Sequence, residues 1–216
     1  MNVKKTGRTP EARNTGPADK GQRGQTVEQV KLAQRGDLTA FQELYESFSH
    51  KIVNYLYRMT GSRAEAEDLA QDTFVLAYRN LTSLKDPARF QSWLYRIAQN
   101  SVYQRFRSKG PELQSIDEEI EGSGAQELPA LDPGPEASVL SDELETVIEK
   151  AISSLPEKYR TVFVLSAVQR LSYNEISEIV GRSLASVKSD IHRARVDVRD
   201  RVKGYLSRQN GMSELP

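Results

Sequence analysis

Between Arg182 and Arg195 the chain concentrates hydrogen-bond donors on a short stretch: Arg182, Ser186, Lys188, Ser189, His192, Arg193 and Arg195. Guanidinium, ammonium, hydroxyl and imidazole groups at this density share one chemistry, the binding of phosphate oxygens and base edges. Val187, Ile191, Ala194 and Val198 recur at intervals of four, three and four, which makes a single apolar stripe on a helix. At ~100° per residue, Ala185, Ser189, His192, Arg193 and Val196 lie on the opposite face, with Lys188 and Arg195 flanking. Arg193 is the first choice for a base contact, because its planar fork matches guanine bidentately. Lys188, Arg195 and Arg199 suit phosphates.

Such donors work only if the helix is presented at a fixed angle, and the residues in front of it supply that. Ser172 with Glu175 forms a capping box that starts a short helix. Gly181 stands where a left-handed residue would end it, and Ser183 can cap the next. Two short helices with a tight turn make a helix-turn-helix, whose second helix enters the major groove. The plainer alternative is a solvated helix whose bases balance Asp190, Asp197 and Asp200.

Two further stretches carry chemistry upstream. In residues 64–74, Asp68, Gln71 and Asp72 share a polar helical face while Leu69 and Phe74 point inward, and a compact acidic and amide face can dock on a basic protein surface. From Phe90 through Trp93, Leu94, Tyr95, Arg96, Ile97 and Asn100 to Tyr103, Arg105, Phe106, Arg107 and Lys109, aromatics alternate with bases. Stacking on unpaired bases calls for that combination, although Phe90 and Trp93 would serve equally as core.

Composition narrows the alternatives. Of the 216 residues 38% are hydrophobic and 28% charged, so the core is modest and divided. The net charge of zero hides a segregation along the chain. With no cysteine there is neither disulfide nor thiolate metal site, and His50 and His192 stand far apart with no carboxylate array, so neither a metal, a cofactor nor an enzymatic activity is expected. No run approaches the ~20 apolar residues of a membrane span, and the basic N-terminal stretch lacks the apolar segment of a secretory signal. The expected location is the cytoplasm.

Residues 1–25 carry six bases against two acids and almost no apolar side chain, which reads as a disordered basic tail. Helical periodicity starts at Thr26, with Thr26 and Gln29 as a capping box, and continues after Asp37 through Phe41, Leu44, Phe48, Ile52, Leu56 and Met59 to Gly61. Ser62 with Glu65 opens a third helix, residues 81–89 form a loop, and Phe90 starts a fourth. Residues 26–107 thus make one lobe. Residues 108–138 hold eight acids against Lys109 among Pro and Gly and read as a linker; roughly 30 residues reach at most ~100 Å. A second lobe spans 139–206, with a helix from Val139 stopped by Pro156, a helix over 157–169 and the helix-turn-helix; 207–216 is a tail.

Together these segments resemble the bacterial RNA polymerase sigma factors of the sigma-70 family, extracytoplasmic-function (ECF) group. Gly36-Asp37 with Ala40-Phe41 and Leu44-Tyr45 is similar to the start of region 2, and Glu67-Asp68-Leu69 with Gln71-Asp72-Thr73-Phe74 to the core-binding helix of region 2.2. Phe90, Trp93-Leu94, Ile97-Ala98 and Asn100 resemble the parts of regions 2.3 and 2.4 that meet the −10 element. Leu155-Pro156, Tyr159-Arg160 and the helix-turn-helix resemble region 4, which reads the −35 element.

The resemblance implies an all-α fold of two small helical domains, a region 2 four-helix lobe and a region 4 helix-turn-helix lobe, joined by a flexible acidic linker. It implies core RNA polymerase as a partner, through the clamp helices of the largest subunit and the flap, with Asp68, Leu69, Gln71, Asp72 and Phe74 as contacts. Promoter DNA is the second implied partner, met at −10 by Asn80, Lys85, Phe90, Trp93, Arg96 and Asn100. At −35 the contacts are Arg182, Ser186, Lys188, Ser189, His192, Arg193 and Arg195. An anti-sigma protein is a third partner common to the group, with no membrane insertion. The acidic linker sits where the family threads a segment through the polymerase channels, as a mimic of RNA phosphate.

Three positions depart from the family pattern. Gln104 stands where an Asp is common, Ser177 replaces a usual Ala, and Asp190 replaces a usual Arg. A carboxylate at 190 facing DNA would repel phosphate or accept from a cytosine amino group. The rival reading is a stand-alone helix-turn-helix regulator, which leaves the 67–74 and 90–100 motifs without a task.

Overall fold

The computed structural model describes residues 17–108 and 138–212, and among them every regular element is helical. The expected all-α fold is what is found. The first 16 residues, residues 109–137, which hold most of the expected acidic linker, and the last four lie outside the described residues.

Helix α1 (Pro17–Gln34) starts earlier than the periodicity predicts. Thr26 is no cap: its hydroxyl donates to the Gln22 carbonyl inside the helix, and Gln29 turns inward to Glu43. Residues 17–25, expected as tail, are therefore helix. Helix α2 (Leu38–Thr60) begins where Asp37 accepts from the Ala40 amide and ends at Gly61, whose φ of 72° only glycine adopts without strain. Ser62 caps α3 (Arg63–Asn80) by accepting from the Glu65 amide, while Glu65 Oε1 accepts from Arg105 Nε at 2.8 Å. The expected loop contains two 3-10 turns, Leu81–Ser83 and Pro87–Arg89, and leads into α4 (Phe90–Ser108).

The core of this half is built by α2, which buries Leu44, Phe48, Ile52, Tyr55, Leu56 and Met59 against Ala66, Ala70 and Phe74 of α3 and Leu94, Ala98 and Val102 of α4. Each large apolar side chain so buried is worth about 1.5–3 kcal/mol against exposure.

The second half contains α5 (Ser138–Ser153), α6 (Glu157–Phe163), α7 (Tyr173–Val180) and the long α8 (Leu184–Met212). Periodicity predicts one helix over 157–169, but it changes form after Phe163. Residues Val164–Val168 make a π turn, in which the Gln169 amide donates five residues back to the Val164 carbonyl at 2.9 Å. Arg170 then takes a left-handed conformation with φ of 57°. The Ser172–Glu175 capping box forms in full, and Gly181 closes α7 at φ of 67°.

The two halves touch. Helix α4 runs against α7, α2 contacts α5, α6 and the π turn, and the buried apolar side chains of both halves join one continuous core. Linker length alone allows wide separation; in this structure the halves are packed together.

Candidate nucleic-acid and protein-binding faces

The start of α8 is held from below. Ser183 Oγ accepts from the Ser186 amide at 3.2 Å, and the Ser177 hydroxyl donates to the Arg182 carbonyl, so the turn is tied to both helices. Ala185, Lys188 and Ser189 are exposed at the open end of α8, and Ser186, His192 and Arg193 are half-exposed beside them. Arg193 Nη1 lies 3.4 Å from the Tyr159 hydroxyl, which steadies its guanidinium at the edge of the face. Arg195 is drawn the other way: its Nη2 donates to Ser166 Oγ, a buried hydroxyl, at 3.3 Å.

Asp190 does not face outward. It is 4% exposed, its carboxylate accepts from the Arg182 guanidinium, and Lys158 Nζ lies 4.0 Å away. A buried carboxylate needs such a partner to offset the loss of its hydration. Asp190 therefore neither repels phosphate nor meets a cytosine in this conformation. Arg182, expected to reach DNA, is committed to this pair.

On α3, Asp68, Gln71 and Asp72 are exposed and, with Glu65, Leu69 and Arg105, line an open groove of about 330 Å³. Leu69 and Phe74, expected among the contacts, are 8% and 5% exposed and belong to the core. Their burial fixes which way the acidic residues point. Sequence reasoning missed the neighbours of this face. Tyr45 of α2 and Val75, Leu76 and Tyr78 of α3 are exposed, with Tyr45 edge-on to Phe74 at 4.8 Å and Phe41 edge-on to Tyr78 at 4.9 Å. Clustered exposed apolar side chains mark a surface for another protein. The signal was the surplus of apolar residues on α3 beyond those its inward stripe needs.

On α4, Phe90 is interior, 1% exposed and edge-on to Phe48 at 5.4 Å, so it cannot stack on a base in this conformation. Trp93 is half-buried, 6.1 Å from the Phe90 ring. Arg96 and Asn100 are exposed one turn apart, and Asn80 and Lys85 are exposed near the 3-10 turns that precede α4. Donors and one accessible indole thus share one end of this half.

Tyr95 and Gln99 line the opposite flank of α4. Tyr95 is fully buried, its hydroxyl pushed above the ordinary range by desolvation, and it donates to Gln169 Oε1 at 2.7 Å. Gln99 accepts from the buried Tyr55 hydroxyl. Nearby, burial raises the Glu157 carboxyl above its ordinary value against a smaller opposing pull from Arg160. Among the described residues no three His, Cys, Asp or Glu side chains are placed to hold a metal ion, and no helix is long and apolar enough to cross a membrane.

Comparison with known proteins accounts for both halves. The model of sigma-70 region 2 matches residues 44–112 and that of sigma-70 region 4 matches residues 146–198. Over 178 residues the chain is 38% identical to the ECF RNA polymerase sigma factor SigW of Bacillus subtilis, spanning 81% of this chain and 95% of that protein. It is 35% identical to the RNA polymerase sigma-H factor of Pseudomonas aeruginosa, over 77% of this chain and 88% of that one. With the ECF RNA polymerase sigma-E factor of Escherichia coli the identity is 34%, over 83% and 95%. Two solved structures share the fold. CnrH in complex with the cytosolic domain of CnrY superposes with a TM-score of 0.62 at 23% identity, covering 83% of this chain and 98% of that one. The sigma factor RpoE of Bartonella quintana, in complex with the anti-sigma factor NepR, gives 0.59 at 23%, covering 77% and 98%.

Proposed function

The chain belongs to the ECF group of the sigma-70 family, and from that membership we propose that it binds core RNA polymerase, directs it to promoters through their −10 and −35 elements, and promotes strand opening. The observation that carries the reading is the separation of faces. An acidic and apolar protein-binding face on α2 and α3, an aromatic and basic face on α4, and a donor-rich face on α8 lie on distinct surfaces.

In this mechanism Asp68, Gln71 and Asp72, with the exposed Tyr45, Val75 and Tyr78 beside them, dock on the clamp helices of the largest subunit. Asn80, Lys85, Arg96 and Asn100 hold the backbone of the −10 element while Trp93 receives an unpaired base. Phe90 supports Trp93 from within. Energy gained on the unpaired strand favours the melted duplex and offsets unstacking that costs a few kcal/mol per step. Lys188, Ser189, His192 and Arg193 meet the −35 duplex, with Ser186 near phosphate at the helix start. Neither half needs to bind tightly, because tethering to one polymerase raises the effective concentration of the other. In this reading the first half spans residues 26–107, with 17–25 extending its first helix, and the second spans 139–206.

An anti-sigma protein is a further proposed partner; support comes from the complex of like fold in which a sigma factor is bound by one. Run-off transcription with purified core polymerase, with and without the protein, tests the central reading. A promoter-specific transcript that requires the protein is expected. No such transcript, together with tight duplex binding by the protein alone, would turn the reading to a stand-alone helix-turn-helix regulator.

A further inference from the structure

Arg182 stands in the turn between α7 and α8 and is bonded to both helices. Its amide donates to the Ser177 carbonyl of α7 at 3.3 Å, and its own carbonyl accepts from the Ser177 hydroxyl. Its guanidinium donates to Asp190, inside α8. The backbone of one residue is thus tied to the supporting helix and its side chain to the helix that carries the donors. Lys158 Nζ, 4.0 Å from the other Asp190 oxygen, brings α6 to the same point. Ser177 and Asp190 are two of the three departures from the family pattern, and they hold Arg182 from opposite ends.

The attachment has leverage. Asp190 lies ~9 Å along the axis from Leu184, where α8 begins, and Arg193 ~14 Å, at 1.5 Å per residue. A tilt of ~10° about the turn would therefore move a group at Arg193 by ~2 Å. Hydrogen bonds to base edges tolerate about half an ångström. Gly181 and the Ser183 cap fix α8 only at its first residues, whereas the Arg182–Asp190 bond holds it more than a turn further on. A guanidinium and a carboxylate also bond in a preferred plane, while two apolar side chains can slide past each other. The charge of Arg182 is already met by Asp190, and its side chain is a quarter exposed.

We propose that Arg182 is a positioning residue for promoter reading: through Ser177 and Asp190 it sets the angle at which α8 enters the −35 groove, and it neither reads a base nor neutralises a phosphate. The inference rests on the −35 reading proposed for α8, and adds to it a determinant of specificity outside the reading face.

The test uses the full-length protein with core polymerase and a duplex library randomised over the −35 segment. Wild type should select a sequence, whose single-base variants then give a match-to-mismatch ratio of affinities. Arg182→Leu combined with Asp190→Leu removes the strut without changing net charge. Ser177→Ala removes one hydroxyl from a half-exposed position and leaves the core intact. The ratio should fall about fivefold or more in the double variant, the worth of one base contact, and about twofold in Ser177→Ala. The slope of log K against log salt should keep its wild-type value in both. A wild-type ratio in either variant overturns the proposal. A slope reduced by about one in the double variant also overturns it, because Arg182 would then be a phosphate contact. If the double variant does not fold, the ratio of Ser177→Ala decides alone. If wild type itself selects no sequence, the −35 reading falls and the positioning role with it, a result distinct from any change confined to the variants.

Discussion

The Asp190 carboxylate, inside α8, is bonded to the Arg182 guanidinium in the turn that precedes the helix. The pair spans the joint between the helix-turn-helix elements. Breaking a buried ion pair by removing one member leaves an uncompensated charge, at a cost of 3–5 kcal/mol when burial is complete. Arg182 is a quarter exposed and Lys158 remains near, which reduces the expected loss for Arg182→Ala to about 2 kcal/mol. Replacing both residues with leucine should restore most of it. Urea unfolding of the two variants gives the comparison; equal losses would show that the pair is not coupled.

The proposed base reading and phosphate holding on α8 should separate by their salt dependence. Arg193→Ala should cost about 1–3 kcal/mol of −35 affinity and relax preference at one position. Lys188→Ala should weaken all sequences evenly and reduce the slope of log K against log salt by about one. Titrations of the holoenzyme on matched and mismatched duplexes at several salt concentrations check both.

Trp93→Ala should impair open-complex formation more than duplex binding, because the exposed part of the indole can stack on a base only once that base is unpaired. Permanganate reactivity of unpaired thymines is the readout. Reactivity equal to wild type would remove Trp93 from the mechanism.

Stability should depend on pH through Glu157. Its carboxyl is raised from an ordinary value of 4.5 by burial, with Arg160 pulling the other way; Tyr55 and Tyr103 face it and are themselves raised, hence neutral here. The folded form therefore holds a proton more readily than the unfolded one. Lowering pH through the raised value favours the folded state, and raising pH above it releases that contribution. The stability difference between wild type and Glu157→Gln, followed by urea unfolding, should shrink as pH falls toward 4.5.

Local signals were legible. Ser172 with Glu175, Gly61 and Gly181 act through bonds to residues within a turn, and the structure forms those caps and stops. Asp190 was legible in principle: three residues after Val187 and four before Ala194, it sits on the buried stripe itself. Its charge pointed outward while its phase pointed inward, and Arg182 lets the phase win. Phe90 and Phe74 show the opposite ambiguity, since residue type fits both stacking and core, and only packing against Phe48 and Tyr45 decides it. Thr26 is a cap by type, yet the helix runs through it. The contact of Tyr95 with Gln169 joins positions 74 apart, and no periodicity encodes a meeting at that distance.

The π turn at Val164–Val168 gives that meeting a simple origin. Relative to an α-helix it holds one surplus residue, and each residue advances a helix by ~100°. Deleting one residue there would turn position 169 by ~100°, away from Tyr95 and Asn54, and leave the two halves without this attachment. A one-residue change in backbone length, with no change of side chain on α3 or α8, thus decides whether that bond forms.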